Sequence, residues 1–315
     1  TFEKIPPDTL FPSNMKVVAI SWKPGQHLLN IFRIYSRLFT EIIPFRPDAV
    51  FFHMTDVAAA LLSPFFNLAK KRTVLWYAHI SNSPWLRFAV RFVDEIATST
   101  EGSFPNITTQ RHIIGQSIDT KLFHFYPSRN LKLPLRAIHI GRLDPAKRIG
   151  ELLDWSKHAI DDGFLKSLTL VGQPTSSHLN YGSELQCRFK NYIDDGKIIF
   201  EDPISNYLLP QFLSKYDIFL HLFQGSLDKS ILEATAVGIP VVSVNNEYLR
   251  EFGSWNKEDV SFDAQLKSLL DYETEALRIE LSRRQRIVSD RHSIDNWIRE
   301  ISKLLVPNID EDSSR

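Results

Sequence analysis

The chain has 315 residues, 43% of them apolar, with 37 Lys and Arg against 37 Asp and Glu. That length accommodates two domains with separate cores, the composition excludes a fibre or a wholly disordered chain, and the zero formal charge removes any global electrostatic case for nucleic acid. The single cysteine, Cys187, cannot form an internal disulfide, no run approaches the ~20 apolar residues that span a bilayer, and the N-terminus lacks a signal-peptide layout, so a cytoplasmic address is expected.

In chain order, residues 16–21 (KVVAIS) read as a strand and 28–43 as a helix; 49–54 (AVFFHM) and 73–79 (TVLWYAH) read as strands around an apolar helix at 58–68. Helix 85–93 precedes a strand at 95–99, and HIIGQSIDTKLF follows. A polar, proline-containing connection at 128–135 is the expected domain boundary. Beyond it strands at 137–141, 168–172, 197–201, 217–222 and 240–244 alternate with helices at 149–158, 183–193, 207–213 and 227–237. A last amphipathic helix, 293–305, is expected to pack back on the body, before a tail (307–315) read as disordered. The alternation predicts an α/β protein of two doubly wound, Rossmann-like domains, residues 1–130 and 131–292, with ligands bound at the carboxyl ends of the strands.

The stretch 225–244, GSLDKSILEATAVGIPVVSV, carries most of the functional signal. Ser226 suits an N-cap, Gly238 a C-terminal stop, and Pro240 opens the next strand. The turn Ser226-Leu227 therefore leads into a helix N-terminus, whose open N–H groups favour a phosphate. Lys229 in the first turn opposes the macrodipole unless an anion sits there, whereas Asp228 would repel that anion and is assigned to a hydroxyl or to the turn itself. Glu233, four residues after Lys229, is either a solvated partner worth ~0.2–0.5 kcal/mol or a ligand for the vicinal hydroxyls of a ribose. A second turn, IGRLDPAK at 140–147, ends a strand at Gly141 and supplies Arg142 and Lys147, a planar bidentate donor and a point charge suited to a diphosphate.

Together IGRLDPAKRIGELL, LTLVG and SILEATAVGIPVVSV resemble the C-terminal domain of the family 4 glycosyltransferases, retaining enzymes of the GT-B fold. The likeness extends through HIIGQSIDTKLF to FRPDAVFFH and covers most of residues 40–245. It implies a cleft between two facing domains, with transfer of a hexose from a nucleotide sugar to a glycan or lipid-linked hydroxyl, as in polysaccharide biosynthesis. Arg142 and Lys147 would hold the diphosphate and stabilise it as it leaves, Glu233 would take the ribose, and the base would lie near Gly172 and Pro203 in FEDPI. No metal or other cofactor is then required.

Two departures from the family stand out. Many members pair two glutamates at Glu-x7-Glu spacing, and the position eight before Glu233 is Gly225, which leaves the donor sugar open. The front is short, with WKPGQH a poor glycine loop and Thr1 in place of Met, so the first strand-loop-helix unit is expected to be missing. A non-catalytic nucleotide-sugar-binding or partner subunit is the competing reading, and an epimerase a third. The absence of GxGxxG argues against a nicotinamide-dependent oxidoreductase.

On the acceptor side His79, ending a strand, is the candidate to orient a hydroxyl or meet the leaving phosphate; His53 is a weaker version of the same case. Asp119 is assigned to ordering the interdomain turn. Three segments, LLNIFRIYSRLF, FFNLAKKR and WLRFAVRF, mix aromatics with cations. Such helices can lie at the inner face of an anionic membrane, but with no clear charge segregation their large residues are read as core.

Overall fold

The computed structural model describes residues 12–20, 23, 25–126 and 131–307. The expected tail lies outside them except for Pro307, as do Ser21, Trp22, Pro24 and 127–130 of the expected boundary, and residues 16–20 form no strand.

The N-terminal sheet contains β1 (Ala49–His53), β2 (Arg72–Trp76), β3 (Glu95–Thr98) and β4 (His112–Ile113), all parallel and in that order. Side chains two apart face the same side, so Leu75 and Tyr77 enter one core with helices His27–Arg37, Asp56–Leu68 and Pro84–Ala89. Val74 and Trp76 face the opposite side. There they meet Ile301, Trp297 and Leu304 of the last helix, Ile294–Leu305, capped by Ser293. A sheet buried on both faces needs cover on both, and the C-terminus supplies the second layer.

The C-terminal sheet contains β5 (Leu135–Ile140), β6 (Leu165–Val171), β7 (Ile198–Glu201), β8 (Ile218–His221) and β9 (Val241–Ser243) in the order β7-β6-β5-β8-β9, again all parallel. The order reverses direction at β5 and β8, so crossovers leave toward opposite sides there and open a crevice at the carboxyl ends. One face packs on helix Ile149–Asp161 and on Leu266, Leu277 and Leu281; the other packs on helices Lys229–Ala236 and Asn246–Phe252.

The two halves meet where the chain crosses itself. Ile118 and Ser293 form a β-bridge, and the Gln116 N–H donates to His292 Nδ1 at 3.0 Å. Gly115 sits at φ +80, and a Cβ there would come within 1.7 Å of the Arg291 carbonyl oxygen, so only glycine allows this approach. Ile118 and Phe123, which precede the boundary expected at residues 128–135, pack in the C-terminal core.

Several elements differ from the sequence reading. The first helix is regular only to Arg37 and continues as a π-helical turn, Leu38–Ile42. The helix expected at 183–193 breaks at Phe189 into Tyr181–Arg188 and Lys190–Asp194. Helices Asn246–Phe252, Phe262–Leu270 and Thr274–Arg291 were not read from the sequence at all.

Candidate functional site

A cavity of about 420 Å³ opens at the carboxyl ends of β5, β6 and β7. Gly141, Arg142, Gly172, Gln173, Thr175 and Pro203 are among its lining residues, which brings together the turn after β5 with the Gly172 and FEDPI positions expected to hold a base. Two strand-end turns press together beneath it. Gly172 sits at φ +151 with its missing Cβ 1.9 Å from the Gly141 carbonyl oxygen, so a side chain there would force the turns apart. Leu143 N–H donates to the Gln173 carbonyl, and Thr175 Oγ1 donates to Asp144 at 3.0 Å. Asp144 also caps its own turn, and the Ala146 N–H it accepts holds its carboxyl below the usual range. Arg142 stands exposed on this rim, and its guanidinium has no hydrogen-bond or ion-pair partner among the described residues.

Lys147 does not stand free as the sequence reading had it. It is buried, its ammonium contacts Asp228 Oδ2 at 2.5 Å, and it lies 3.6 Å from the centre of the Phe223 ring. An ammonium this enclosed needs a partner while no anion is present, and Asp228 is that partner. Asp228 in turn accepts from His221 Nε2 at 3.0 Å, and His221 Nδ1 lies 3.3 Å from Ser243 Oγ. Burial alone would raise the Asp228 carboxyl, but His221 and Lys147 together outweigh it and hold it at about 2. The neighbouring His139 is driven down to about 4 by burial, with His221 adding to the effect, and its Nε2 has no hydrogen-bond partner among the described residues.

The turn before the helix differs from expectation too. Asp228, not Ser226, occupies the cap position, and its carboxylate, turned to Lys147 and His221, makes no cap hydrogen bond, so the helix starts without a side-chain cap. Leu227 is spoken for: its N–H donates to Ser103 Oγ at 3.2 Å and its carbonyl accepts from Gln116 Nε2 at 2.9 Å, both across the domain junction. The donors left for an anion are therefore those of the first helical turn.

Glu233 lies one turn beyond Lys229, and no hydrogen bond to its carboxylate is found among the described residues. Burial pushes it up to about 7, against the opposing charge of Lys229. Lys229 itself donates to Ser117 Oγ at 2.9 Å rather than pairing with Glu233 as a surface couple would. Arg142 lines the cavity at the strand ends, whereas Lys147 and Glu233 do not; Lys147 reaches the start of the Glu233 helix through its pair with Asp228.

A smaller cavity, about 210 Å³, spans the domain cleft between His53, Met54, Trp76 and Ala78 on one side and Ser226, Asp228 and Lys229 on the other. His53 lines it, with its pKa lowered by burial and then by Lys229. His79 is not among the lining residues; it is exposed and its Nδ1 accepts from the Ser81 N–H at 2.9 Å, a local turn contact. The structure therefore reverses the order in which the two histidines were ranked. Asp119 accepts from the N–H groups of Lys121 and Leu122, in keeping with a turn-ordering role. His221 was missed altogether, since one histidine inside an apolar strand gives no pattern to read.

The fold recurs in known proteins. Anabaena HepE, solved in complex with UDP and glucose, superposes with a TM-score of 0.71 at 16% identity, over 92% of this chain and 85% of that one. The fold is that of the GT-B glycosyltransferases. Sucrose-phosphate synthase from Thermosynechococcus elongatus (TM-score 0.68, 13% identity, 89% and 78% coverage) shares the GT-B fold. So does the catalytic domain of starch synthase IV from Arabidopsis thaliana bound to ADP and acarbose (0.65, 10%, 92% and 79%). In sequence, residues 155–303 match the family described as glycosyl transferase-like, in line with the family 4 resemblance. No curated protein matches the chain by sequence. Among the described residues no helix of this GT-B chain is long and apolar enough to cross a membrane.

Proposed function

We propose that the protein transfers a hexose from a nucleoside-diphosphate sugar to a glycan or lipid-linked hydroxyl, with retention at the anomeric carbon. The observation that carries this reading is the unpaired Arg142 guanidinium on the rim of a cavity built from three strand ends. HepE was solved with UDP, and with UDP-glucose, which makes a uridine nucleotide the first donor to test here. In the transfer the acceptor oxygen bonds to the anomeric carbon, the bond from that carbon to the diphosphate oxygen breaks, and the hydroxyl proton leaves with the phosphate. Arg142, Lys147 and the uncapped helix start would meet the charge on the departing diphosphate, so no metal is needed. Glu233 would accept both ribose hydroxyls, and His53 is better placed than His79 to meet an acceptor in the cleft.

Thermal shifts across UDP-, GDP- and ADP-sugars test donor binding, because a ligand at a hundred times its Kd stabilises by about 2.7 kcal/mol. Arg142→Ala is expected to weaken the best nucleotide about 10- to 100-fold, the range for hydrogen bonds to a charged group, while leaving the melting temperature of the free protein unchanged. If no nucleotide binds, or Arg142→Ala binds as well as wild type, this reading is wrong.

A non-catalytic donor-binding role is favoured by two features, Gly225 where many relatives carry a carboxylate and the engagement of Lys147 by Asp228. Donor binding without turnover toward any acceptor would support it.

A further inference from the structure

The turn that leads into helix Lys229–Ala236 is not held by the C-terminal domain alone. Leu227 is buried and lies before the cap position Asp228, so its peptide groups find their partners outside the helix. Ser103 Oγ accepts its N–H at 3.2 Å, and Gln116 Nε2 donates to its carbonyl at 2.9 Å. A buried peptide group without a partner costs free energy, so this conformation of the turn depends on two side chains that the C-terminal sheet does not supply.

Both side chains are themselves fixed. Ser103 ends the short turn Glu101–Ser103 after β3; its Oγ lies 2.6 Å from Thr100 Oγ1, and Phe104, next in the chain, is in the N-terminal core. The buried Glu247 carboxylate, in the first turn of helix Asn246–Phe252, accepts from the Gly102 N–H at 2.9 Å and seats the same turn against the C-terminal domain. Gln116 belongs to the interdomain crossing, where its N–H donates to His292 Nδ1, and the next residue, Ser117, accepts from the Lys229 ammonium at 2.9 Å. Gln116 and Ser117 line the smaller cleft cavity beside Ser226, Asp228 and Lys229. The cavity at the strand ends, in contrast, is lined by residues 140–209 of the C-terminal domain.

We propose that Ser103 and Gln116 are positioning residues for the donor: by holding the Leu227 peptide they set the place of Lys229 and of the open N–H groups of the first helical turn, so that the phosphates of a nucleotide sense the N-terminal domain while its base does not. The inference rests on the proposed donor site and adds a dependence of that site on the other domain. Ser103 acts at one remove, since it lines neither of the two cavities. A turn that is ordered for only a fraction of the time binds phosphate more weakly by that fraction. A nucleoside has no phosphate and is bound through the strand-end cavity either way.

Calorimetric titration of the full chain with the best-bound of UDP, GDP and ADP, and saturation-transfer NMR with the matching nucleoside, test it on Ser103→Ala, Gln116→Met and their combination. Each single variant is expected to weaken the diphosphate about 5-fold, the worth of one ordinary hydrogen bond, and the pair about 30-fold. Nucleoside affinity and circular dichroism should stay as in wild type. Thr100→Val removes the neighbouring hydroxyl but leaves the Ser103 contact with Leu227, and should bind the diphosphate as wild type does. Undiminished diphosphate affinity in the double variant, an equal loss of diphosphate and nucleoside, or a loss in Thr100→Val as large as that in Ser103→Ala overturns the proposal and leaves the donor site standing. A wild-type protein that binds none of the three diphosphates removes the donor reading, and this inference with it.

Discussion

Glu233→Gln separates stability from binding at the candidate ribose site. Burial lifts the Glu233 carboxyl from its ordinary 4.5 to about 7. An acid whose pKa is raised on folding binds its proton more tightly in the folded state, so ionising it costs stability as pH rises above 4.5, with the full cost reached above 7. At about 1.4 kcal/mol per pH unit, that gap amounts to about 3 kcal/mol. Glutamine keeps the shape and carries no charge, so the variant should be more stable than wild type by about 3 kcal/mol at pH 8.5 and nearly equal to it at pH 4. Urea unfolding of both proteins at the two pH values measures the difference, and other titrating groups cancel in the comparison. The same variant should bind UDP more weakly, because an amide offers one acceptor where the carboxylate offers two oxygens. For wild type, two ribose hydroxyls donating to the ionised form should lower its pKa, so UDP affinity should rise from pH 6 to pH 8 with release of a proton. Equal stability of the two proteins at pH 8.5 would mean that the carboxylate is already solvated or paired, and a pH-independent UDP affinity would remove Glu233 from the ribose site.

Asp228→Asn should act in the opposite pH direction. The carboxyl is depressed from 3.8 to about 2, so its contribution of about 2 kcal/mol is present above pH 4 and lost as pH falls toward 2; urea midpoints at pH 7 and pH 2 should differ between variant and wild type only at the former. Gly115→Ala should cost at least about 2 kcal/mol, since its φ is +80 and its Cβ would strike the Arg291 carbonyl; an unchanged melting temperature would show that the crossing of the two interdomain strands is looser than it looks.

Much of the fold could be read from the sequence because parallel strands announce themselves as short apolar runs between helical periods. The nine strands among the described residues fall inside or beside runs such as AVFFH, LTLV and IFLH. Helix Thr274–Arg291 could not be read this way, since it is charged on most sides and held by pairs such as Glu275 with Arg278 and Glu280 with Arg283 and Arg284, leaving little apolar period. At the site, Arg142 was legible from turn chemistry and Gly172 and Pro203 from the family resemblance, and the cavity joins them. The partner of Lys147 was not legible, because Asp228 is 81 residues away and only folding brings them together. The pairing also accounts for a carboxylate at the helix start where an anion was expected.

The arrangement around Lys147 is compatible with the proposed donor site. An ammonium has three N–H groups, and Asp228 takes one while the Phe223 ring covers another side. A lysine left alone in this environment would be an unpaired buried charge. Asp228 pairs with it, and His221, which lies near Ser243, holds Asp228 in turn. On the proposed function, the charge of a diphosphate would be met by the third N–H of Lys147, by Arg142 and by the open helix start, with the ion pair intact. The negative charge of Asp228 close by would then limit affinity and so help the product leave. Gly225 points the same way: where a second carboxylate would contact the sugar, this chain has none, and a Cβ at that position would strike the Phe223 ring that covers Lys147. The substitution of glycine and the burial of the lysine are therefore one structural choice, and restoring a glutamate at 225 would be expected to disturb Lys147 before it added a sugar contact.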